Sequence, residues 1–157
     1  MTLDFILRIF VAALLGGAIG LEREYRSKEA GFRTHFLVAL GSALFMIVSM
    51  YGFNEVLQVG TVRLDPSRVA AQVVSGIGFI GAGTIMIQKH AVKGLTTAAG
   101  VWVTAAIGLT CGSGMYALAS VATLLVLLGL EAMNFFLHQM NERNKEKGIA
   151  ADPEENE

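Results

Sequence analysis

Residues 94–130 decide the fold, and they read GLTTAAGVWVTAAIGLTCGSGMYALASVATLLVLLGL. The stretch contains no Asp, Glu, Lys or Arg, and as a single helix it would extend about 55 Å. Because the hydrocarbon core of a bilayer is only about 30 Å thick, one membrane-spanning helix cannot accommodate it. Gly112-Ser113-Gly114 permits a tight turn, since glycine tolerates the backbone angles that turns require. The sequence therefore predicts two helices here, over residues 95–111 and 115–137.

The rest of the chain is also apolar. Hydrophobic residues make up 54% of the 157 residues, and charged residues 16%, against about 25% in typical soluble domains. Three more stretches are long enough to cross a bilayer: residues 3–21, 36–53 and 69–87. We therefore predict an all-α, polytopic membrane bundle of five transmembrane helices, forming one domain over residues 1–138. Residues 139–157 are predicted to form a polar, disordered cytoplasmic tail.

The distribution of basic residues predicts the orientation of the bundle. Lys and Arg near short loops collect on the cytoplasmic side of a membrane. With five spans, one side holds Arg23, Arg26, Lys28, Arg33, Lys89, Lys93, Arg143, Lys145 and Lys147. The loops of the other side hold only Arg63 and Arg68. We therefore predict an external N-terminus and a cytoplasmic C-terminus; a four-span arrangement would break this segregation.

Small residues recur at helical spacing along the predicted spans. Membrane helices associate through close packing of such residues and through interhelical hydrogen bonds. The glycines expected to lie at helix contacts are Gly16, Gly20, Gly76, Gly78, Gly81, Gly83, Gly100 and Gly108. We expect these contacts within the subunit or across a homodimer. A pore lined by glycine backbone is the alternative.

Several function classes are excluded. Residues 76–81, GIGFIG, match the letters of a dinucleotide-binding fingerprint, but they lie inside a predicted span and no acidic residue follows before Glu131. The 12 basic and 13 acidic residues give no net field that would attract nucleic acid. No His or Asp pattern accompanies Cys111. We therefore expect neither an enzyme nor a nucleic-acid partner.

The first predicted cytoplasmic segment is dense in charge. Its candidate functional residues are Glu22, Arg23, Glu24, Arg33 and Thr34. A self-paired, solvated loop would explain them, and so would a docking surface or a gate whose carboxylates meet a hard cation. Because Mg²⁺ prefers oxygen ligands and keeps several waters, one or two carboxylates suffice to bind it. We expect no resident cofactor; if a metal binds, Mg²⁺ at Glu22, Glu24 or Asp65 is the candidate.

A second group of polar residues lies at the start of the third predicted span. Asp65 and Pro66 are typical of a helix start, as N-cap and first helical residue. Arg68 and Gln72 then share a helical face with Gly76, Phe79 and Gly83, and this face is expected to look into the bundle or a wet cavity.

Two further polar groups lie near the ends of other spans. Asp4 and Arg8, four residues apart, are expected to neutralise each other. Glu131, Asn134 and His138 share a face of the last span, where a metal or proton site is an open alternative.

Six motifs occur in order along the chain: GLERE (20–24), AGFRT (30–34), PSRVAAQ (66–72), SGIGFIGAG (75–83), KGLTTAA (93–99) and Trp102. Together they resemble the MgtC/SapB family of bacterial membrane proteins, over roughly residues 5 to 135. The resemblance implies a five-span protein of the bacterial inner membrane that is linked to magnesium homeostasis. It also marks Lys93 and Thr96, which lie inside a matching motif, as functional candidates.

The resemblance leaves two hypotheses. Virulence-associated members look like regulators that restrain the F-type ATP synthase, but they carry a soluble C-terminal domain without a counterpart in these 157 residues. They also have Asn and Cys where this chain has Thr96 and Val103, so we expect the short, SapB-like branch. In the first hypothesis the protein is a regulator that binds another inner-membrane complex; in the second it is a transporter or channel for Mg²⁺ or another cation.

Overall fold

The computed structural model describes residues 2–53, 65–88 and 91–146. Its elements are α1 (Thr2–Tyr25), α2 (Phe32–Tyr51), α3 (Ser67–Ala82), β1 (Met86–Gln88), β2 (Ala91–Lys93), α4 (Leu95–Gly112) and α5 (Tyr116–Glu146). The predicted helical bundle is confirmed, with a small antiparallel hairpin added. By length and composition, α1, α2 and α4 can cross a membrane, and α5 contributes a shorter apolar stretch, Tyr116–Ala132. Residues 139–146 of the predicted disordered tail instead continue α5 as helix, and residues 147–157 lie outside the described residues.

The turn that divides the long apolar stretch lies where the sequence predicts it. Helix α4 ends at Gly112, and Gly114 adopts the left-handed conformation with φ +81°. The Met115 N–H donates to the Thr110 carbonyl at 3.1 Å, and the Gly114 N–H donates to the Cys111 carbonyl at 2.8 Å. These two bonds satisfy two of the free carbonyls at the helix end. The prediction of two helices is therefore confirmed.

For the third span, predicted over residues 69–87, the predicted C-terminal end is wrong. Helix α3 ends at Ala82, and the chain continues into the hairpin, in which Met86 pairs with Lys93. The Thr84 hydroxyl donates to the Gly81 carbonyl at 2.8 Å, which competes with a further helical turn. Gly94 follows the second strand and has a φ of +89°. A Cβ added to this glycine would overlap the Thr84 carbonyl. Hydropathy could not separate the apolar start of this hairpin, Met86 and Ile87, from the end of a helix.

Helix α4 is the centre of the bundle, because it contacts each of the other four helices. Helix α2 packs against α1, α3 and α4. One core cluster joins α1, α2, α4 and α5 through Ala12, Ile19, Ala43, Ile107, Cys111 and Ala119. A second cluster brings Ala30 and Ile77 against Val101 and Ala105 of α4. Helix α3 therefore belongs to the smaller cluster and lies at the side of the bundle.

Candidate functional site

The charged segment forms the last turn of α1 and the connection to α2. Arg23 is buried, with 2% of its surface exposed. Its guanidinium donates hydrogen bonds to both carboxylate oxygens of Glu22: Nε donates to Oε2, and Nη2 donates to Oε1 at 2.7 Å. The Arg26 Nε lies 3.8 Å from the same carboxylate. The Glu22 carboxylate is therefore neutralised within the protein.

Glu24 has a different partner at the start of α2. Its Oε2 accepts the backbone N–H of Phe32 at 2.7 Å and so satisfies one of the free donors of the helix. An added Cβ on Gly31 would lie 2.6 Å from this oxygen, so the glycine leaves room for the carboxylate. Glu24 thus fixes the angle at which the chain enters α2.

Two longer links tie this connection to α4 and α5. The Thr97 hydroxyl of α4 donates to Glu29 Oε2 at 2.6 Å, and this bond holds the pKa of Glu29 below its ordinary value. The Arg26 Nη2 donates to both carboxylate oxygens of Glu131 on α5, at 2.6 and 2.7 Å. Sequence reasoning missed both links because their partners lie 68 and 105 residues apart. The side chains of Asn134 and His138 lie outside the described residues.

His35 lies beneath the same connection and is completely buried. Its Nδ1 lies 3.0 Å from the Gly31 carbonyl, so this nitrogen carries the proton and donates. Its Nε2 has no partner among the described residues and faces Gly100, where an added Cβ would lie 3.5 Å away. The imidazole therefore fills the contact between α2 and α4.

A polar cleft opens beside this connection, on the surface of the protein. It has a volume of about 440 Å³ and is lined by Glu24, Ser27, Lys28, Gly31, Arg33 and Thr34. Three of the predicted functional residues, Glu24, Arg33 and Thr34, thus lie together. Lys93 and Thr96 are exposed on β2 and at the start of α4.

Asp65 lies far from Glu22 and Glu24. It precedes α3, which begins beside the C-terminal end of α2, where the Ser49 hydroxyl donates to the Pro66 carbonyl at 2.9 Å. The 20 residues of α2 span about 30 Å, so the three predicted metal ligands do not form one site. Among the described residues, no group of three His, Cys, Asp or Glu side chains could hold a metal ion.

Asp65 also has its own partners. Its Oδ1 accepts the Ser67 N–H at 3.0 Å and the Ser67 hydroxyl at 2.5 Å. These bonds lower the pKa of Asp65. The Asp65 side chain therefore bonds the first backbone N–H of α3, but Pro66 rather than Asp65 occupies the N-cap position, and the helix begins at Ser67.

The predicted polar face of α3 points away from the bundle. Arg68, Gln72, Gly76 and Gly83 are exposed, and Phe79 is 87% exposed. Gln72 and Gly76 line an open apolar groove of about 550 Å³ between α2 and α3, with Gly41 and Ser42 on its other wall. The buried face of α3 is the opposite one, with Ile77 and Gly81 turned toward the bundle.

The predicted packing glycines fall into two groups. An added Cβ on Gly16 or Gly108 would overlap backbone or side-chain atoms of α2, and one on Gly20 would lie 2.6 Å from the Phe32 Cα. Gly81 approaches Ala98 of α4, and Gly100 approaches His35. An added Cβ on Gly76 or Gly78 would meet nothing within 4 Å, and Gly83 lies just after the end of α3.

The opposite end of the bundle is organised by Arg8. Its guanidinium forms the predicted ion pair with Asp4, at 2.8 Å. Arg8 Nη1 also donates to the Gly112 carbonyl at 2.8 Å and to the Tyr51 hydroxyl at 3.3 Å. The arginine thereby satisfies the end of α4 and joins it to α1 and α2.

Known proteins are similar to this chain over most of its length. The model of the MgtC family matches residues 9–139. The "Putative magnesium transporter YhiD" of Escherichia coli K12 is 54% identical over 144 residues, which are 92% of this chain and 67% of that protein. "Protein MgtC" of Salmonella typhimurium LT2 is 42% identical over 150 residues, 96% of this chain.

This chain spans 59% of the length of the Salmonella protein. "Uncharacterized protein slr0014" of Synechocystis is 41% identical over 140 residues, 87% of this chain and 56% of that protein. No solved structure matches. The assignment to a short branch of the family stays a prediction.

Proposed function

The chain belongs to the MgtC family, and on that premise we propose that it is a membrane-embedded regulator of magnesium homeostasis that binds another membrane protein. One observation carries the proposal: each candidate carboxylate for Mg²⁺ already has a protein partner. Glu22 is held by Arg23, Glu24 by the start of α2, and Asp65 by Ser67. A transport path would need free oxygen ligands along the spans, whereas these three are committed to the ends of helices.

In this proposal the protein crosses the bacterial inner membrane five times, with its N-terminus outside. The 16 residues of α3 extend about 24 Å, so the bilayer must thin slightly there or the hairpin must complete the crossing. The link from Arg26 to Glu131 joins the α1–α2 connection to α5, consistent with both lying on the cytoplasmic side. No catalytic step is part of the proposed role.

The surface offered to a partner is the outer face of α3. It combines small residues, Ala71, Ser75 and Gly78, with the amide of Gln72, and all of them are exposed. Small residues let a second helix approach closely, and an amide in lipid gains from an interhelical hydrogen bond. We assign this face to a helix of another membrane protein, and cross-linking distinguishes that partner from a second copy of the chain.

A flux assay tests the proposal against transport. Purified protein is reconstituted into liposomes that contain a Mg²⁺-sensitive dye, beside empty liposomes and the variants Glu22→Gln and Asp65→Asn. We expect the protein liposomes to take up Mg²⁺ no faster than the empty ones. Uptake by the unchanged protein that either variant abolishes would contradict the proposal and favour a transporter.

A cross-linking experiment tests the partner surface. A photo-reactive amino acid replaces Ser75 on the outer face of α3, and in a matched control it replaces Leu14, which is 56% exposed on α1. In cells, we expect an adduct with another membrane protein from position 75 and none from position 14. The same experiment on purified protein identifies a second copy, since only self-association remains possible there. Equal adducts from both positions would contradict a dedicated surface.

A further inference from the structure

The polar cleft beside the α1–α2 connection is lined by more basic than acidic side chains. Lys28 and Arg33 line it and are exposed. Neither takes part in a salt bridge within the described residues, whereas Arg8, Arg23 and Arg26 all do. Lys28 and Arg33 therefore differ from the arginines that join the helices, and within the described part of the chain they share this lack of an ion-pair partner with the exposed Arg68 and Lys93.

The remaining groups of the cleft suit an oxyanion. Thr34 contributes a hydroxyl that can donate a hydrogen bond. Glu24 contributes one negative charge, but its Oε2 is already bonded to the Phe32 N–H. Two basic side chains and one carboxylate therefore line the cleft, a balance that disfavours a cation such as Mg²⁺ and favours a phosphate oxyanion.

The position of the cleft relative to the membrane indicates where that phosphate comes from. Arg33 and Thr34 lie in the first turn of α2 and precede the predicted span 36–53 by less than one helical turn, which places the cleft at the depth of the lipid headgroups. The predicted orientation places them at the cytoplasmic leaflet, where anionic lipids concentrate and each nearby Lys or Arg strengthens binding. We propose that this cleft binds a phosphate group, held by Lys28, Arg33 and the Thr34 hydroxyl.

The experiment measures retention of lipid by the purified protein. Native mass spectrometry counts adducts of phosphatidylglycerol and of phosphatidylcholine, with and without millimolar inorganic phosphate as competitor. The variants are Lys28→Gln and Arg33→Gln, with Lys93→Gln as the matched control, because it removes the same charge from an exposed site outside the cleft. A thermal melt of each variant establishes that it is folded.

We expect phosphatidylglycerol adducts to exceed phosphatidylcholine adducts, and each cleft variant to weaken them about fivefold. Lys93→Gln should leave them unchanged. Adducts that inorganic phosphate does not displace identify a lipid headgroup, and displacement identifies a site for free phosphate. Equal losses of adducts in all three variants would show an effect of general surface charge and would overturn the proposal. Unchanged adducts in both cleft variants would also overturn it. The measurement uses neither Mg²⁺ flux nor a protein partner, so its failure is separate from that of the proposed function.

Discussion

The glycines of α1 and α4 and the glycines of α3 follow similar sequence patterns but meet different surroundings. At Gly16 and Gly108 the neighbouring helix is so close that a single added carbon would overlap α2. At Gly76 and Gly78 an added carbon would meet nothing within 4 Å. The first group makes helix contacts within one chain. The second group is free to contact lipid or another protein. A pattern of small residues therefore predicts close helix contact without saying which two helices make it.

The largest expected effect comes from filling the tight contact. Gly108→Leu should lower the free energy of unfolding by about 3 kcal/mol, because the side chain would force α4 away from Ala39 and Ser42 of α2. Gly76→Leu, the matched change on the open face of α3, should cost less than about 1 kcal/mol. Unfolding in mixed detergent micelles gives both values. Equal losses would show that the open glycines also lie at a contact within the chain.

The second prediction compares two arginines in the same two regions. Arg23→Gln should lower the free energy of unfolding by about 3 kcal/mol, because it leaves the Glu22 carboxylate without its buried partner. Arg68→Gln, at the exposed start of α3, should change it by no more than about 0.5 kcal/mol. The same unfolding assay measures both variants. A larger effect at Arg68 would mean that α3 is held by contacts other than its inner face.

The third prediction concerns acid stability. Because the Thr97 hydroxyl lowers the pKa of Glu29, the bond stabilises the folded state above the unfolded pKa, which is about 4.3. This stabilisation is lost as the pH falls through the lower, folded pKa. Thr97→Val should therefore reduce the loss of thermal stability on acidification below about pH 4.5.

Ser67→Ala is the matched control on α3. Ser67 lowers the pKa of Asp65 in the same direction, but it joins residues only two positions apart. Thr97 instead joins α4 to the α1–α2 connection. We therefore expect the acid dependence of the melting temperature to flatten more in Thr97→Val than in Ser67→Ala. The reverse order would show that the start of α3 limits stability in acid.

The sequence was sufficient for features that depend on local chemistry. Length arithmetic located the turn at Gly112 to Gly114, four-residue spacing predicted the pair of Asp4 and Arg8, and Asp65 bonds a backbone N–H at the start of α3 as expected. It could not reveal the link between Arg26 and Glu131, because the folded bundle brings together residues far apart in the chain. The predicted end of α3 was wrong for another reason: Met86 and Ile87 are as apolar in the first strand of the hairpin as they would be in a helix.

The smallest effect on stability, and the sharpest test of the open face, is expected from Gln72→Leu. The side chain is exposed beside the groove between α2 and α3, so its loss should change the free energy of unfolding by no more than about 0.5 kcal/mol. The cross-linking yield from position 75 should nevertheless fall about threefold, the value of an average interhelical hydrogen bond in a membrane. Ser42→Ala, on the α2 wall of the groove, is the control and should leave the yield unchanged. If Gln72→Leu leaves the yield unchanged as well, the amide does not bind the partner, and the exposed small residues of α3 make the contact without it.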